Sequence, residues 1–186
     1  MKGQIISRVC AAVVIAVVPV LAAAAGAFDF SFDSIDGGKI DMKDYAGHPV
    51  LVANTASLCA FTPQYDDLQA VYDAYKDKGL VVLAIPSDDF QQELANGEAV
   101  KEFCTANFNL TLPMTTISHV KGPEALPFYQ WLAANRGFVP GWNFNKVLIG
   151  ADGQVIATWG SLARPTGPAI THAIEAALGG AAGVGG

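Results

Sequence analysis

One cysteine of the chain stands where it could act as a nucleophile. Cys59 lies in the segment NTASLCAFTP, residues 54–63, between an apolar run and a proline that could open a helix. A thiol near the unpaired N–H groups of a helix N-terminus is pushed toward thiolate, because the positive end of the helix dipole stabilises the anion. The alternative is an unreactive packed thiol, since free cysteine is among the most buried residue types.

Two other cysteine chemistries are excluded by the residues around this thiol. Rapid dithiol exchange of the thioredoxin kind needs a second cysteine at the fourth position of the turn, where this chain has Thr62. A metallochaperone site needs two neighbouring thiols, and NTASLCAFTP holds one. The histidines His48, His119 and His172 are scattered, so the sequence predicts neither a metal site nor a cofactor.

A strand before Cys59 and a helix after it must position the thiol. The run HPVLVANTAS, residues 48–57, is apolar and β-branched without alternation, as expected of a strand buried on both faces. Pro63 suits the first helical position, Thr62 can cap the helix, and apolar residues recur at helical spacing until Gly79. Cys59 is therefore predicted at the carboxyl end of a central strand, where open α/β sheets usually carry their chemistry.

The other patterns complete a thioredoxin-like α/β sandwich, with a central mixed sheet flanked by helices. FDFSFDSIDGGKIDM predicts an N-terminal β-hairpin around Asp-Gly-Gly, and LVVLAIP predicts a second buried strand. Further helices are predicted at AVKEFCTANF, PFYQWLAANRG and GPAITHAIEAAL, and an antiparallel hairpin at NKVLIG and QVIATWG. We expect one domain over residues 28–178 and a flexible Gly-rich tail over residues 179–186.

Residues 1–27 have the layout of a secretory signal peptide. Lys2 and Arg8 precede an uncharged apolar stretch, and small residues follow at a possible cleavage site. Two A-x-A registers fit, ending at Ala25 or Ala27, and the sequence does not choose between them. An uncleaved membrane anchor is the alternative, but the alanine-rich end and Pro19 favour cleavage. We expect an exported, periplasmic protein with no membrane span in its mature form.

The charge of the mature chain excludes some partners. Removal of the first 27 residues leaves nine basic and 17 acidic residues, a net charge near −8. Such an acidic surface is a poor match for nucleic acid, because phosphate binding depends mostly on lysine and arginine. Two cysteines remain, Cys59 and Cys104, in a compartment where they could pair permanently or transiently.

Three segments together resemble a known family. NTASLCAFTPQYDDL resembles the active-site segment of the glutathione peroxidase family, while LVVLAIPSDDFQQE and GWNFNKVLIGADGQVI resemble its second and third motifs. The resemblance covers residues 30–178. It implies that Cys59 is the peroxidatic nucleophile and that Trp142 and Asn143 donate hydrogen bonds. Gln92 is the best match to the family's glutamine, with Gln91 as the fallback, because this segment is one residue shorter before the glutamine.

The implied reaction is the reduction of hydrogen peroxide and organic hydroperoxides, in protection against oxidative stress. A thiolate that attacks a peroxide O–O bond becomes a sulfenic acid, and neutral donors stabilise the oxygen that leaves. Family members often condense this sulfenic acid with a second cysteine and are then reduced by thioredoxin-like proteins. Cys104 follows Phe103 directly, one position from the plant-type pattern, and one position turns a helical side chain by about 100°. The reductant is therefore left open between a route through Cys104 and direct attack by glutathione or another thiol.

The spacing of the third motif bears on assembly and substrate. Tetrameric family members carry a long insertion before the tryptophan motif, whereas a short connection separates Trp131 from Trp142 here. The resemblance thus implies the monomeric, bacterial or phospholipid-hydroperoxide-like type, open to bulky organic hydroperoxides. Two alternatives remain: an exported thiol-disulfide oxidoreductase using Cys59 and Cys104 as a distant pair, and a non-catalytic thioredoxin-like binding protein.

Overall fold

The computed structural model describes residues 26–181. Most of the predicted signal peptide and the last five residues of the predicted tail lie outside this range. The described chain forms six strands and four α-helices, whose bounds are β1 Ser31–Asp33, β2 Lys39–Asp41, β3 Val50–Thr55, α1 Gln64–Tyr75, β4 Val81–Pro86, α2 Gly97–Phe108, α3 Pro127–Arg136, β5 Lys146–Ile149, β6 Val155–Trp159 and α4 Pro168–Ala181. The last helix runs three residues past the predicted end of the domain at residue 178.

The central sheet has four strands in the order β4-β3-β5-β6. β3 pairs in parallel with β4, and the β3–β5 and β5–β6 pairs are antiparallel. β1 and β2 form a separate antiparallel hairpin, whose turn contains Gly37 and Gly38 at positive φ. The predicted mixed sheet and the predicted N-terminal hairpin are confirmed.

β3 lies in the middle of the molecule because its side chains are buried on both faces. Leu51 and Ala53 face a core formed with α1, α2 and α4, whereas Val50 and Val52 face a core formed with α3 and the hairpin. All six residues of the strand are buried, as expected for a strand covered on both sides. This packing fixes the carboxyl end of β3, from which the chain enters the segment that holds Cys59.

The described helices are those of a packed α/β domain. Within residues 26–181, no helix combines the length and the apolar character needed to cross a membrane. α1 ends near the predicted position: a short 3₁₀ turn, Lys76–Lys78, follows it, and Gly79 then takes the left-handed conformation with φ of 99°.

Candidate active site

Cys59 lies in the turn between β3 and α1, and Thr62 shapes that turn. The Thr62 hydroxyl accepts the Cys59 N–H at 3.0 Å and donates to the Ala56 carbonyl oxygen at 2.9 Å. The Thr62 N–H donates to the Cys59 carbonyl oxygen at 3.0 Å. The predicted helix cap at Thr62 is wrong, because its hydroxyl closes the cysteine turn and α1 begins at Gln64 without a side-chain cap.

The sulfur of Cys59 is nearly covered but receives a backbone donor. The residue is 7% exposed, and the Phe61 N–H points at Sγ from 3.4 Å. The turn thus directs one N–H donor at the sulfur atom. The turn therefore combines limited access to solvent with a donor suited to an anion.

Gln92 lies against this turn, and Gln91 does not. The Leu58 N–H donates to the Gln92 carbonyl oxygen at 2.8 Å, which joins the residue before the cysteine to the β4–α2 loop. The Gln92 side chain is half-buried and accepts from Asn143 Nδ2 at 3.1 Å. Gln91 is exposed, with φ of 57°. Of the two glutamines, the geometry favours Gln92.

The loop that carries Trp142 and Asn143 is held by Asn54 of β3. Asn54 Nδ2 donates to the Trp142 carbonyl oxygen at 3.0 Å, and its Oδ1 accepts the Asn145 N–H at 3.1 Å. The Phe144 N–H donates to the Asn54 carbonyl oxygen at 2.6 Å. Asn54 opens the same segment that contains Cys59, so one strand end organises both parts of the site. The position of Asn54 at the start of NTASLC was the sequence signal for this role, although Asn54 was not predicted to be a site residue.

Ser161 joins the same loop to the first turn of α1. Its hydroxyl donates to the Asn143 carbonyl oxygen at 2.6 Å and accepts from Asn145 Nδ2 at 3.0 Å. Gln64 Nε2 donates to the Ser161 carbonyl oxygen at 2.7 Å. Neither Ser161 nor Gln64 carried a sequence signal, because their partners are distant along the chain.

Trp142 is partly exposed and packs on the loop that carries Gln92. The residue is 40% exposed, and its indole packs at an angle against Phe90, with ring centroids 5.2 Å apart. Lys121 Nζ lies 4.1 Å from the centre of the Phe90 ring. The loop between β4 and α2 thus supplies both Gln92 and the aromatic support of the indole.

Buried charged side chains stabilise the first turn of α1. Lys146 is buried and donates to Gln64 Oε1 and, at 2.6 Å, to the Ala163 carbonyl oxygen. Burial lowers the pKa of Lys146 to about 8, with partial compensation from Asp67. Burial alone would raise the pKa of Asp67, but hydrogen bonds from Arg164 and Thr166 outweigh it and hold that pKa below its usual range. Arg164 binds both Asp67 oxygens at 2.8 Å.

Cys104 occupies a different environment from Cys59. It lies within α2, is 2% exposed, and neither described cysteine is in a disulfide. Burial raises the pKa of the Cys104 thiol to about 11, although the neighbouring Tyr65 hydroxyl opposes this rise. The thiol is therefore protonated near neutral pH and poorly suited to attack a sulfenic acid in this conformation.

Several of the residues predicted to form the site are connected by hydrogen bonds. Gln92 and Asn143 are in direct contact, and the Gln92 and Trp142 carbonyl oxygens accept hydrogen bonds from Leu58 and Asn54, which both precede Cys59 in the segment NTASLC. Within residues 26–181, no three His, Cys, Asp or Glu side chains gather closely enough to hold a metal ion. The arrangement offers a thiol with one backbone donor, in a turn that is hydrogen-bonded to the loop carrying Gln92, and this suits attack on a peroxide bond.

The chain is similar to several known proteins. A family model described as "Glutathione peroxidase" matches residues 27–133. A glutathione peroxidase of Lactococcus lactis is 41% identical over 143 residues, covering 74% of this chain and 91% of the relative. A hydroperoxy fatty acid reductase of Synechocystis sp. is 38% identical over 149 residues, covering 74% and 88%. The crystal structure of Trgpx in its apo form superposes with a TM-score of 0.67 at 34% identity, covering 84% and 97%.

Proposed function

The chain belongs to the glutathione peroxidase family, and we propose that it reduces hydrogen peroxide and organic hydroperoxides at Cys59 with electrons from thiols. One observation carries the assignment of the site: the residue before Cys59 is hydrogen-bonded to Gln92, whose side chain in turn contacts Asn143. These bonds support a site in which the Gln92 amide donates to a peroxide bound at the sulfur. Protection against oxidative stress follows from the reaction.

The reaction transfers one oxygen atom to sulfur. The Cys59 thiolate attacks a peroxide oxygen, so that an S–O bond forms, the O–O bond breaks, and the alkoxide or hydroxide takes a proton to leave as alcohol or water. Sulfur is oxidised to sulfenic acid and the peroxide is reduced. The Asn143 amide donates to Gln92 Oε1, which leaves the Gln92 Nε2 group as the part that can donate to the leaving oxygen. Trp142 would add its indole N–H.

We propose that an external thiol reduces the Cys59 sulfenic acid first. The thiol sulfur displaces water from the sulfenic acid to form a mixed disulfide, and a second thiol releases Cys59 with formation of the oxidised reductant. Glutathione or a thioredoxin-like protein can supply both thiols. Burial and the raised pKa of Cys104 disfavour it as the first attacking group, and its entry requires local opening of α2.

Coupled turnover tests the function. Fully reduced protein is mixed with hydrogen peroxide or cumene hydroperoxide, with either glutathione and its reductase or thioredoxin and its reductase, and NADPH consumption is followed. We expect turnover with at least one couple, and a dimedone adduct on Cys59 when peroxide is added without reductant. Absence of turnover with every donor would overturn the proposal. No described contact favours the thiol-disulfide oxidoreductase or the binding protein over the peroxidase.

We also propose export to the periplasm as a monomer, with signal cleavage after Ala25. Three contacts support this register over cleavage after Ala27. The Ala27 side chain is fully buried, the Ala27 N–H donates to the Gly153 carbonyl oxygen at 2.9 Å, and the Gly26 N–H donates to Asp29 Oδ2 at 3.0 Å. Removal of Gly26 and Ala27 would delete all three contacts.

The mature protein secreted by a bacterial host is therefore expected to begin at Gly26. A recombinant form starting at Phe28 should lose about 1–2 kcal/mol of unfolding free energy, from one buried methyl group, the Ala27 hydrogen bond and the weaker, exposed Gly26 hydrogen bond. Intact-mass analysis of the periplasmic fraction and urea unfolding of both forms provide the measurements. A mature N-terminus at Phe28, or equal stability of the two forms, would contradict this register.

A further inference from the structure

The loop that carries Gln92 has no regular secondary structure to fix its shape. It joins β4 to α2, and it contains Gln91 at positive φ. Since the loop must hold an amide against Cys59 to within a fraction of an ångström, contacts to the neighbouring turn have to supply its precision. Glu93 makes such a contact with its side chain, beside the backbone contact of Gln92.

Glu93 binds the cysteine turn directly. Its Oε1 accepts the Ser57 N–H at 3.0 Å and the Leu94 N–H at 2.8 Å. Next to the first of these bonds, the Leu58 N–H donates to the Gln92 carbonyl oxygen at 2.8 Å. Two adjacent hydrogen bonds therefore join residues 57 and 58 to residues 92 and 93, and they fix the distance between Gln92 and the residue that precedes Cys59.

Glu93 lies in a buried environment that disfavours an ionised carboxylate. It is 8% exposed, and burial raises its pKa despite the hydrogen bonds donated by Ser57 and Leu94. Its second oxygen, Oε2, is buried without a hydrogen-bond partner among the described residues, and the hydroxyls of Thr55, Ser57 and Tyr65 share this condition. Burial of a carboxylate is costly unless its hydrogen bonds are needed, so the position points to a role for those bonds.

We propose that Glu93 is a positioning residue for the peroxide reaction: its carboxylate fastens the Gln92 loop to the cysteine turn and so holds the Gln92 amide beside Cys59. The proposal rests on the donor role proposed above for Gln92. Glu93 acts through Gln92 and does not touch the peroxide. The reach of the side chain, and not its charge, is what the role requires.

Two conservative variants separate reach from charge. Glu93→Gln keeps an oxygen at the same distance from the backbone, whereas Glu93→Asp keeps the charge but withdraws the oxygens by one methylene group. The rate constant for oxidation of Cys59 by hydrogen peroxide is measured in single turnover. It should stay near the wild-type value in Glu93→Gln and fall roughly 10-fold to 100-fold in Glu93→Asp. Glu102→Ala, which removes an exposed acid from α2, is the matched control and should be unchanged.

Alkylation by iodoacetamide distinguishes positioning from general loosening of the turn. Alkylation needs the Cys59 thiolate but no donor to oxygen, so Glu93→Asp should lower the peroxide rate constant while the alkylation rate constant stays near that of the wild type. Thermal unfolding confirms that each variant is folded at the assay temperature. A parallel fall of both rate constants, or a loss in Glu93→Gln equal to that in Glu93→Asp, would overturn the proposal.

A double-mutant cycle with Gln92→Ala tests the route of action. If Glu93 works through Gln92, adding Glu93→Asp to Gln92→Ala should cause no further loss. Additive losses would overturn the positioning role of Glu93 and leave the donor role of Gln92 intact. A full peroxide rate in Gln92→Ala would overturn both this proposal and the donor role of Gln92, whereas a slow Gln92→Ala with a fast Glu93→Asp would overturn only the inference about Glu93.

Discussion

A Cys59→Ser variant is expected to lose peroxidase activity, with kcat/KM lowered by roughly 10⁴-fold or more, as for the removal of other enzyme nucleophiles. A serine hydroxyl fits the same turn and can accept the Phe61 N–H, but it does not ionise near neutral pH and forms no sulfenic acid. The fold should be preserved, since the exchange changes one atom at a residue whose turn is held by Thr62. NADPH-coupled turnover with hydrogen peroxide and cumene hydroperoxide measures the loss.

Cys104→Ala is the matched control for this variant. It removes the other described thiol and should keep turnover of the same order as the wild type with the same thiol donor. Residual activity of Cys59→Ser within tenfold of the wild type would contradict the nucleophile. Loss of turnover in Cys104→Ala with an intact Cys59 sulfenic acid would contradict an external thiol as the first reductant.

The second large effect is a difference in labelling between the two thiols. At pH 8 a thiol with a pKa of about 11 is ionised in only about one molecule in a thousand, and burial of Cys104 adds a steric barrier. Iodoacetamide should therefore label Cys59 in the native protein while Cys104 stays unlabelled, and both should react in guanidinium chloride. Peptide mass spectrometry at several times reports the two rates. Equal native rates would contradict the buried, protonated state of Cys104.

The same thiol gives a pH dependence of stability. The pKa of Cys104 in the folded protein is above its ordinary value, so its contribution is fully present below about pH 9 and is lost as the pH rises toward 11. Relative to Cys104→Ala, the wild type should lose about 2–3 kcal/mol of unfolding free energy across this range. Urea unfolding at pH 8 and at pH 10.5 measures the difference. A pH-independent difference between the two proteins would contradict the shift.

The elements that place Cys59 could be predicted from sequence because their signals are local. The uninterrupted apolar run of β3, the alternation around Gly37 and Gly38, and the periodicity of α1 each lie within one short segment. The exact start of α1 could not be predicted, since a threonine hydroxyl can cap a helix or close the preceding turn. The backbone path of the turn decides between these uses of Thr62.

The connections within the site could not be predicted from spacing. Asn54 and Ser161 bind the tryptophan loop from positions distant along the chain, so neither contact has a local pattern. The choice between Gln91 and Gln92 depends on a loop conformation in which Gln91 takes a positive φ and the next side chain turns inward. The resemblance to a family named the residue types, but the hydrogen bonds that orient them depend on tertiary structure.

The tryptophan loop is held mainly through its backbone atoms, since the N–H groups of Phe144 and Asn145 also bond to Asn54. Asn54 and Asn145 donate to the oxygen of Trp142, and Ser161 donates to the oxygen of Asn143. These hydrogen bonds therefore do not depend on which aromatic group occupies position 142, although the indole also packs against Phe90. Replacement of Trp142 by phenylalanine or histidine should therefore leave these hydrogen bonds of the loop in place while it changes which peroxides the site admits.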